Sequence, residues 1–329
     1  MVRPILEVEN LKKHFPLKPS LLDSIRGAPT RFVRAVDGIS FSIQPQGILA
    51  LVGESGCGKT TTGKLVMGLY PPTEGKMVLD GVDVTALRED EMKAYRREVQ
   101  MIYQDPFSSI NPRFRIYEVL EEPLVIHNIG DREERMEKVS KALEEVKITP
   151  PEDYLGRHPH MLSGGQRQRV AIARAMILNP KFVVADEPVS MLDVSIRAEI
   201  LELMKQLQEQ RKLTYLYITH DISTARYFAD HIAVMYLGKI VEMGPVREVI
   251  DNPIHPYTKA LLAAVPEPIP ERKDIIKELP IKGEVPSAVN IPPGCRFHPR
   301  CPRMIEACKT YDEKPFSASS EHWYTCINP

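Results

Sequence analysis

The residues able to do chemistry fall at five places within the first 220 positions and in one cluster near the end of the chain. Gly53-Glu54-Ser55-Gly56-Cys57-Gly58-Lys59-Thr60 has a glycine, four residues, then glycine, lysine and threonine, the spacing of a loop that wraps phosphate. Gly53, Gly56 and Gly58 let the backbone curl tightly enough for its N–H groups to point inward, and a following helix N-terminus adds partial positive charge. Lys59 is placed to reach the β and γ phosphates of a nucleotide and Thr60 to ligate Mg2+, with Ser55, Cys57 and Thr61 beside them. Asp186-Glu187 offers a second magnesium ligand and a carboxylate that could polarise an attacking water. Gln104 and His220 add a polar amide and an imidazole able to meet a γ-phosphate. Taken singly, an acidic pair is often a turn cap, and a lone glutamine or histidine is often structural. Leu162-Ser163-Gly164-Gly165-Gln166 is a second anion site built on a helix N-terminus. One nucleotide rarely needs two such sites, so Ser163, Gly165 and Gln166 are expected to serve a nucleotide held by another subunit.

An α/β sheet must position these groups. Ile48–Val52 is a short apolar run of the fully buried parallel type, and Thr61–Leu69 behind the loop reads as a helix. Val99–Tyr103 ends at Gln104, Lys181–Ala185 at Asp186 and Thr214–Thr219 at His220, the strand ends where open α/β sheets bind ligands. Asp193 is expected to cap an amphipathic helix over Val194–Arg211 that buries Ile196, Ile200, Leu203, Met204 and Leu207. Phe107–Pro159 turns helical, with Met136, Val139, Leu143 and Val146 on one face behind Asp131, and Arg167–Leu178 continues that character. Ile5–Val8 and Ile39–Ile43 alternate like antiparallel strands around an exposed loop at Pro16–Arg34. Phe15, at the end of the first run, could stack on a base or be a half-buried strand-end aromatic. Pro71–Val84 reads as a turn and hairpin, and Asp90–Glu98 as a charged helix.

Composition excludes some classes. Across 329 residues, 43 basic side chains balance 44 acidic ones, so nucleic acid is not an expected partner. No segment approaches a membrane span and no leader pattern opens the chain, so a membrane role is expected to come through a partner.

In order and separation, GESGCGKT, Gln104, LSGGQ, VVADEP with SMLD, and His220 resemble the nucleotide-binding subunit of ATP-binding-cassette (ABC) transporters, over about Ile5–Ile250. The resemblance implies a P-loop ABC ATPase of α/β class, with a mostly parallel core sheet, an antiparallel β subdomain and a helical subdomain at about 107–180 within residues 1–252. It implies two cassettes head to tail, each ATP lying between one loop and the other chain's LSGGQ, with Asp193 close by. Glu187 would be the catalytic base, His220 the γ-phosphate sensor, and Gln104 a magnesium ligand with Thr60 and Asp186 that couples to a transmembrane partner. Expected partners are a second cassette, more often a different chain than a copy, two permease subunits at the cytoplasmic face of the membrane, and an extracellular or periplasmic solute-binding protein. A soluble ABC protein acting on DNA or ribosomes usually has two cassettes, coiled coils or basic arms, none of them present. An unrelated kinase or GTPase would lack LSGGQ.

Of 29 prolines, 13 fall in Pro253–Pro329, so residues 253–329 read as a linker and a small irregular module. His255-Pro256-Tyr257-Thr258-Lys259-Ala260-Leu261-Leu262 with Val265-Pro266 resembles the extension of oligopeptide and dipeptide importers, as does the Pro16–Arg34 insertion. That branch also includes nickel and oligosaccharide carriers. Cys295, Cys301, Cys308 and Cys326 are separated by five, six and seventeen residues. So small a module calls for a metal staple, and a reduced setting favours ligands over disulfides. Zinc sites usually show two-residue gaps, missing here, so four thiolates on a 4Fe–4S cluster are favoured over zinc, with His298 and His322 as further candidate ligands and unligated thiols as the bland alternative. Similar tails in the importer branch resemble 4Fe–4S sites.

Overall fold

A computed structural model describes residues 3–17, 30–105, 110–264, 281 and 283–329. Most of the Pro16–Arg34 loop, the start of the Phe107–Pro159 stretch and Val265-Pro266 lie outside these residues. The chain opens with β1 (Leu6–Pro16), β2 (Phe32–Ile43), β3 (Ile48–Val52), α1 (Lys59–Val66), β4 (Glu74–Leu79), β5 (Val82–Asp83), α2 (Glu89–Glu98) and β6 (Val99–Ile102). Four helices follow: α3 (Ile116–Ile126), α4 (Arg132–Glu145), α5 (Glu152–Leu155) and α6 (Gly164–Met176). Then come β7 (Phe182–Asp186), α7 (Val194–Arg211), β8 (Thr214–Thr219), α8 (Ile222–Phe228), β9 (His231–Tyr236), β10 (Lys239–Pro245), α9 (Val246–Asp251), α10 (Pro256–Ala263), β11 (Phe316–Ser317) and β12 (Trp323–Tyr324).

The main sheet has the order β11-β12-β10-β9-β3-β8-β7-β6, and β9 through β6 in that order run parallel. Every residue of β3, β7 and β8 is buried, as expected for parallel strands covered on both faces. Side chains alternate across a strand, and β3 shows the result directly. Ile48, Ala50 and Val52 pack with the helices on one face, whereas Leu49 and Leu51 pack with the antiparallel sheet β2-β1-β4-β5 on the other. The strand ends carrying Gln104, Asp186 and His220 therefore share one edge of a rigid, doubly covered sheet.

Two local outcomes differ from the sequence reading. Helix α1 begins at Lys59, two residues before Thr61, because Gly58 at φ 113° turns the chain directly into the helix. The extension, expected to be a linker and a small irregular module, also adds two short strands to the main sheet. Its β12 pairs antiparallel with β10, Glu242 opposite Tyr324, and β11 pairs with β12. Strands of two residues show no periodicity, so no pattern marked them in advance. Cys295, Phe297 and Cys308 join the helix-side core.

Candidate functional site

The phosphate loop runs from the end of β3 into α1. Lys59 is almost fully buried, and its Nζ donates to the carbonyls of Gly53 at 2.7 Å and Glu54 at 3.0 Å. The loop is thereby held closed around an ammonium group that a phosphate can attract. Thr60 Oγ1 donates to Asp186 Oδ1 at 3.1 Å, which sets two oxygen ligands side by side and fits a magnesium site. Burial pushes the Asp186 carboxyl above the usual carboxylate range. The Thr60 hydroxyl opposes that rise, and the charge of neighbouring Glu187 adds to it. A cation there would relieve the desolvated charge.

Glu187 sits at φ 46°, in the left-handed region that non-glycine residues seldom occupy. Three bonds hold it there: its N–H donates to Ile218 O at 2.8 Å, and its carbonyl accepts from Ser190 N and Oγ at 3.2 and 3.0 Å. The strained turn aims the carboxylate along the strand-end edge. Its Oε2 accepts from Gln104 Nε2 at 3.0 Å and lies 3.0 Å from His220 Nδ1. Residues following β6, β7 and β8 thus converge on one oxygen. A cavity of about 520 Å³ opens beside it, walled by Ser55, Gly56, Gly58, Lys59, Thr60 and Thr61 of the loop and by Gln104, Glu187 and His220. Val33, Ala35 and Ala288 complete its rim. Backbone N–H donors and an ammonium on one wall, with a hydrogen-bonded carboxylate opposite, suit a triphosphate and a water held for in-line attack.

Cys57 is buried behind the loop, where burial raises its thiol despite nearby Lys59. Phe15 pairs with Val33 across β1 and β2 and so stands at the cavity edge, but it does not line the cavity. Its ring meets Tyr70 edge-on with centroids 5.5 Å apart.

Ser163, Gly165, Gln166 and Asp193 do not line this cavity either. Ser163 Oγ accepts from Gln166 N at 3.2 Å while Gln166 Oε1 accepts from Ser163 N at 3.0 Å, a reciprocal cap on α6. Because the cap uses Oγ as an acceptor, the exposed hydroxyl still has a proton to donate. Asp193 departs from expectation: it stands at the N-cap position just before α7, but its side chain makes no capping bond.

The four late cysteines need a correction. Among the described residues no group of three or more His, Cys, Asp or Glu side chains could hold a metal ion, so the ligand set expected from the sequence, for a 4Fe–4S cluster or for zinc, is not assembled in this structure. The two candidate histidines are engaged elsewhere. His298 Nδ1 lies 2.8 Å from Cys295 O, and His322 Nε2 lies 2.8 Å from the buried Glu242 carboxylate. The thiols nevertheless influence one another. Burial, then Glu313, then Cys326 and Cys308 push Cys295 up to about 12. Cys301 is raised by burial and then by Cys308, and Cys326 by burial and then by Cys301 and Cys308.

Sequence reasoning missed the side chains that the extension sends to the loop. Tyr257 and Arg300 sit in a proline-rich tail with no repeating pattern, and Glu54 occupies a variable position of the loop motif. No local signal joins them.

A family model described as "ABC transporter" matches residues 36–190, and one described as "Oligopeptide/dipeptide transporter, C-terminal region" matches residues 241–308. The chain is 45% identical over 325 residues to the oligopeptide transport ATP-binding protein AppF of Bacillus subtilis, covering 98% of this chain and 96% of that one. It is 44% identical over 307 residues to the dipeptide transport ATP-binding protein DppF of Escherichia coli, covering 93% and 89%. Among solved structures, a dimeric ATP-binding cassette in a post-hydrolysis state with ADP and Pi shares 28% identity at a TM-score of 0.64, covering 74% of this chain and 99% of that one. The chain belongs to the ABC transporter family, as an ATP-hydrolysing cassette that carries the C-terminal region of the oligopeptide/dipeptide transporters.

Proposed function

We propose that this chain energises a binding-protein-dependent importer of di- or oligopeptides from the cytoplasmic face of a membrane. The observation that carries the catalytic half is the convergence of Gln104 and His220 on the Glu187 carboxylate across a cavity from the phosphate loop. The loop and Lys59 would bind the phosphates, Thr60 and Asp186 would hold Mg2+, and Glu187 would take the proton of the attacking water while His220 meets the γ-phosphate. Ser163 faces solvent on an intact helix cap outside the cavity, which supports its donation to the nucleotide of a second cassette. A partner of different sequence is the reading favoured for that second cassette. Among the described residues no helix is long and apolar enough to cross a membrane, and the permease is read as separate subunits from the transport relatives.

Peptide as the solute rests on the relatives and on the matched C-terminal region. The test is ATP hydrolysis by the chain assembled with its permease pair in lipid vesicles. Solute-binding protein loaded with peptide should stimulate turnover several-fold. Stimulation by nickel or an oligosaccharide, with none by peptide, overturns the solute; full turnover in Ser163→Ala overturns the shared site.

For the extension we propose four thiolates on an iron–sulfur cluster, which Cys295, Cys301, Cys308 and Cys326 would have to draw together to hold; the burial of Cys295, Cys308 and Cys326 and the bond from Cys295 N to Cys308 O at 2.8 Å support it. Anaerobic purification should then give a brown protein containing iron and sulfide. A colourless protein without iron removes this reading.

A further inference from the structure

Glu54, second residue of the phosphate loop, is gripped from outside the cassette. Its two carboxylate oxygens accept from Arg300 Nη1 at 2.6 Å and Nη2 at 3.0 Å, a bidentate pair with a guanidinium that is only 8% exposed. Its backbone N–H donates to Tyr257 Oη at 2.9 Å. Its carbonyl accepts from Lys59 Nζ and from Cys57 N. Every polar group of the residue is engaged, and two of the donors or acceptors come from the extension. Both are themselves immobilised. The Tyr257, Tyr236 and Phe297 rings form a closed triangle with centroids 4.7 to 5.3 Å apart. The Arg300 guanidinium lies 5.8 Å from the centre of the Tyr236 ring. The extension also reaches the cavity itself, where Ala288 stands on the rim and its carbonyl accepts from Arg34 N at 3.0 Å.

We propose that Arg300 and Tyr257 are positioning residues of the nucleotide site, holding the phosphate loop through Glu54 in the shape that receives the β-phosphate. In the nucleotide-free chain Lys59 braces the loop by bonding to Gly53 O and Glu54 O. Once Lys59 turns to phosphate, the Gly53 carbonyl loses that donor and the Glu54 carbonyl keeps only the Cys57 N–H at 3.3 Å. The outer grip then keeps the backbone amides pointing inward. The loop meets the β-phosphate in both ATP and ADP, so the grip acts on affinity for both and little on the chemical step.

The test is equilibrium binding of MgATP and MgADP, with kcat and KM, on the full chain. Binding by the unaltered protein comes first, since its failure would remove the nucleotide site and not the grip. Arg300→Ala should weaken both nucleotides about tenfold and raise KM to match, with kcat within about twofold. Arg300→Lys should restore part of the loss, because one donor replaces two. In Glu54→Ala the further change at Arg300 should have almost no effect, since the two act through one bond pair. Tyr257→Phe removes a single hydroxyl from a ring that stays packed, so it decides the question if Arg300→Ala does not fold; it should weaken both nucleotides about threefold. Affinities within twofold of the parent in folded Arg300→Ala, or in Tyr257→Phe where the first does not fold, overturn the proposal. So does a lower melting temperature with unchanged affinity.

Discussion

At the scale of single residues, the two neighbours at the end of β7 have opposite environments and should answer to substitution differently. Glu187 is held by a strained turn and by Gln104 and His220, so Glu187→Gln keeps the geometry while removing the proton acceptor. Phosphate release should fall by a factor of about 10²–10⁴ with nucleotide affinity within about threefold. Normal turnover would take Glu187 out of its role. Asp186 carries a charge that burial disfavours, so its folded pKa lies above the unfolded one. Such a carboxyl costs stability that grows as the pH rises from its unfolded value, about 3.9, through the raised folded value, so its burial is a cost at neutral pH in the nucleotide-free chain. Asp186→Asn should therefore raise the melting temperature of the empty protein, by about 2–4 °C if the relief is near 1 kcal/mol, while magnesium-dependent nucleotide binding is lost. A lower melting temperature would contradict this account. The shared strand-end edge of the loop motif, Asp186 and Glu187 was legible because these groups stand in contiguous motifs directly after apolar strand runs. Arg300 was not, because 246 positions separate it from Glu54 and only the tertiary fold brings them together.

At the scale of elements, the turn from β3 through the phosphate loop into α1 depends on glycines that no other residue can replace. Gly58 sits at φ 113°, and a methyl group there would lie 2.1 Å from Ala35 O on β2. The obstacle is backbone and cannot swing aside. Gly58→Ala should lower stability by about 3 kcal/mol in urea denaturation and abolish nucleotide binding; a variant of parental stability would show that β2 yields. The parallel strands β3, β7 and β8 were readable as apolar runs, and α7 was readable from its spacing of apolar residues, because burial on both faces or one face leaves that imprint. The lengths of β1 and β2 were not. Their register shifts beyond Val8, so side-chain alternation breaks where the strands continue.

At the scale of the whole molecule, two arginines fasten the extension to the cassette. Arg300 takes Glu54, and Arg296 takes Asp37 of β2 together with the carbonyl of Leu237. Burial works to raise the Asp37 carboxyl, but Arg296 and then His14 outweigh it, and the group ends below its usual range. A depressed carboxyl contributes stability that is present above its unfolded value, about 3.9, and is lost as the pH falls through the folded value. Between about pH 5 and pH 3 the parent should therefore lose more unfolding free energy than Asp37→Asn, as measured by urea titration; equal losses would remove Asp37 from the acid response.

The pairing of β12 on β10 has one more effect. Strand β10 is buried along most of its length, and its far side would otherwise show a row of unsatisfied amides and carbonyls beside apolar side chains. Such a border recruits strands from other molecules. A cassette cut short before Trp323 would leave Glu242 and Met243 of β10 without these strand partners and should aggregate faster than the full chain in light scattering; equal rates would take that role from β12.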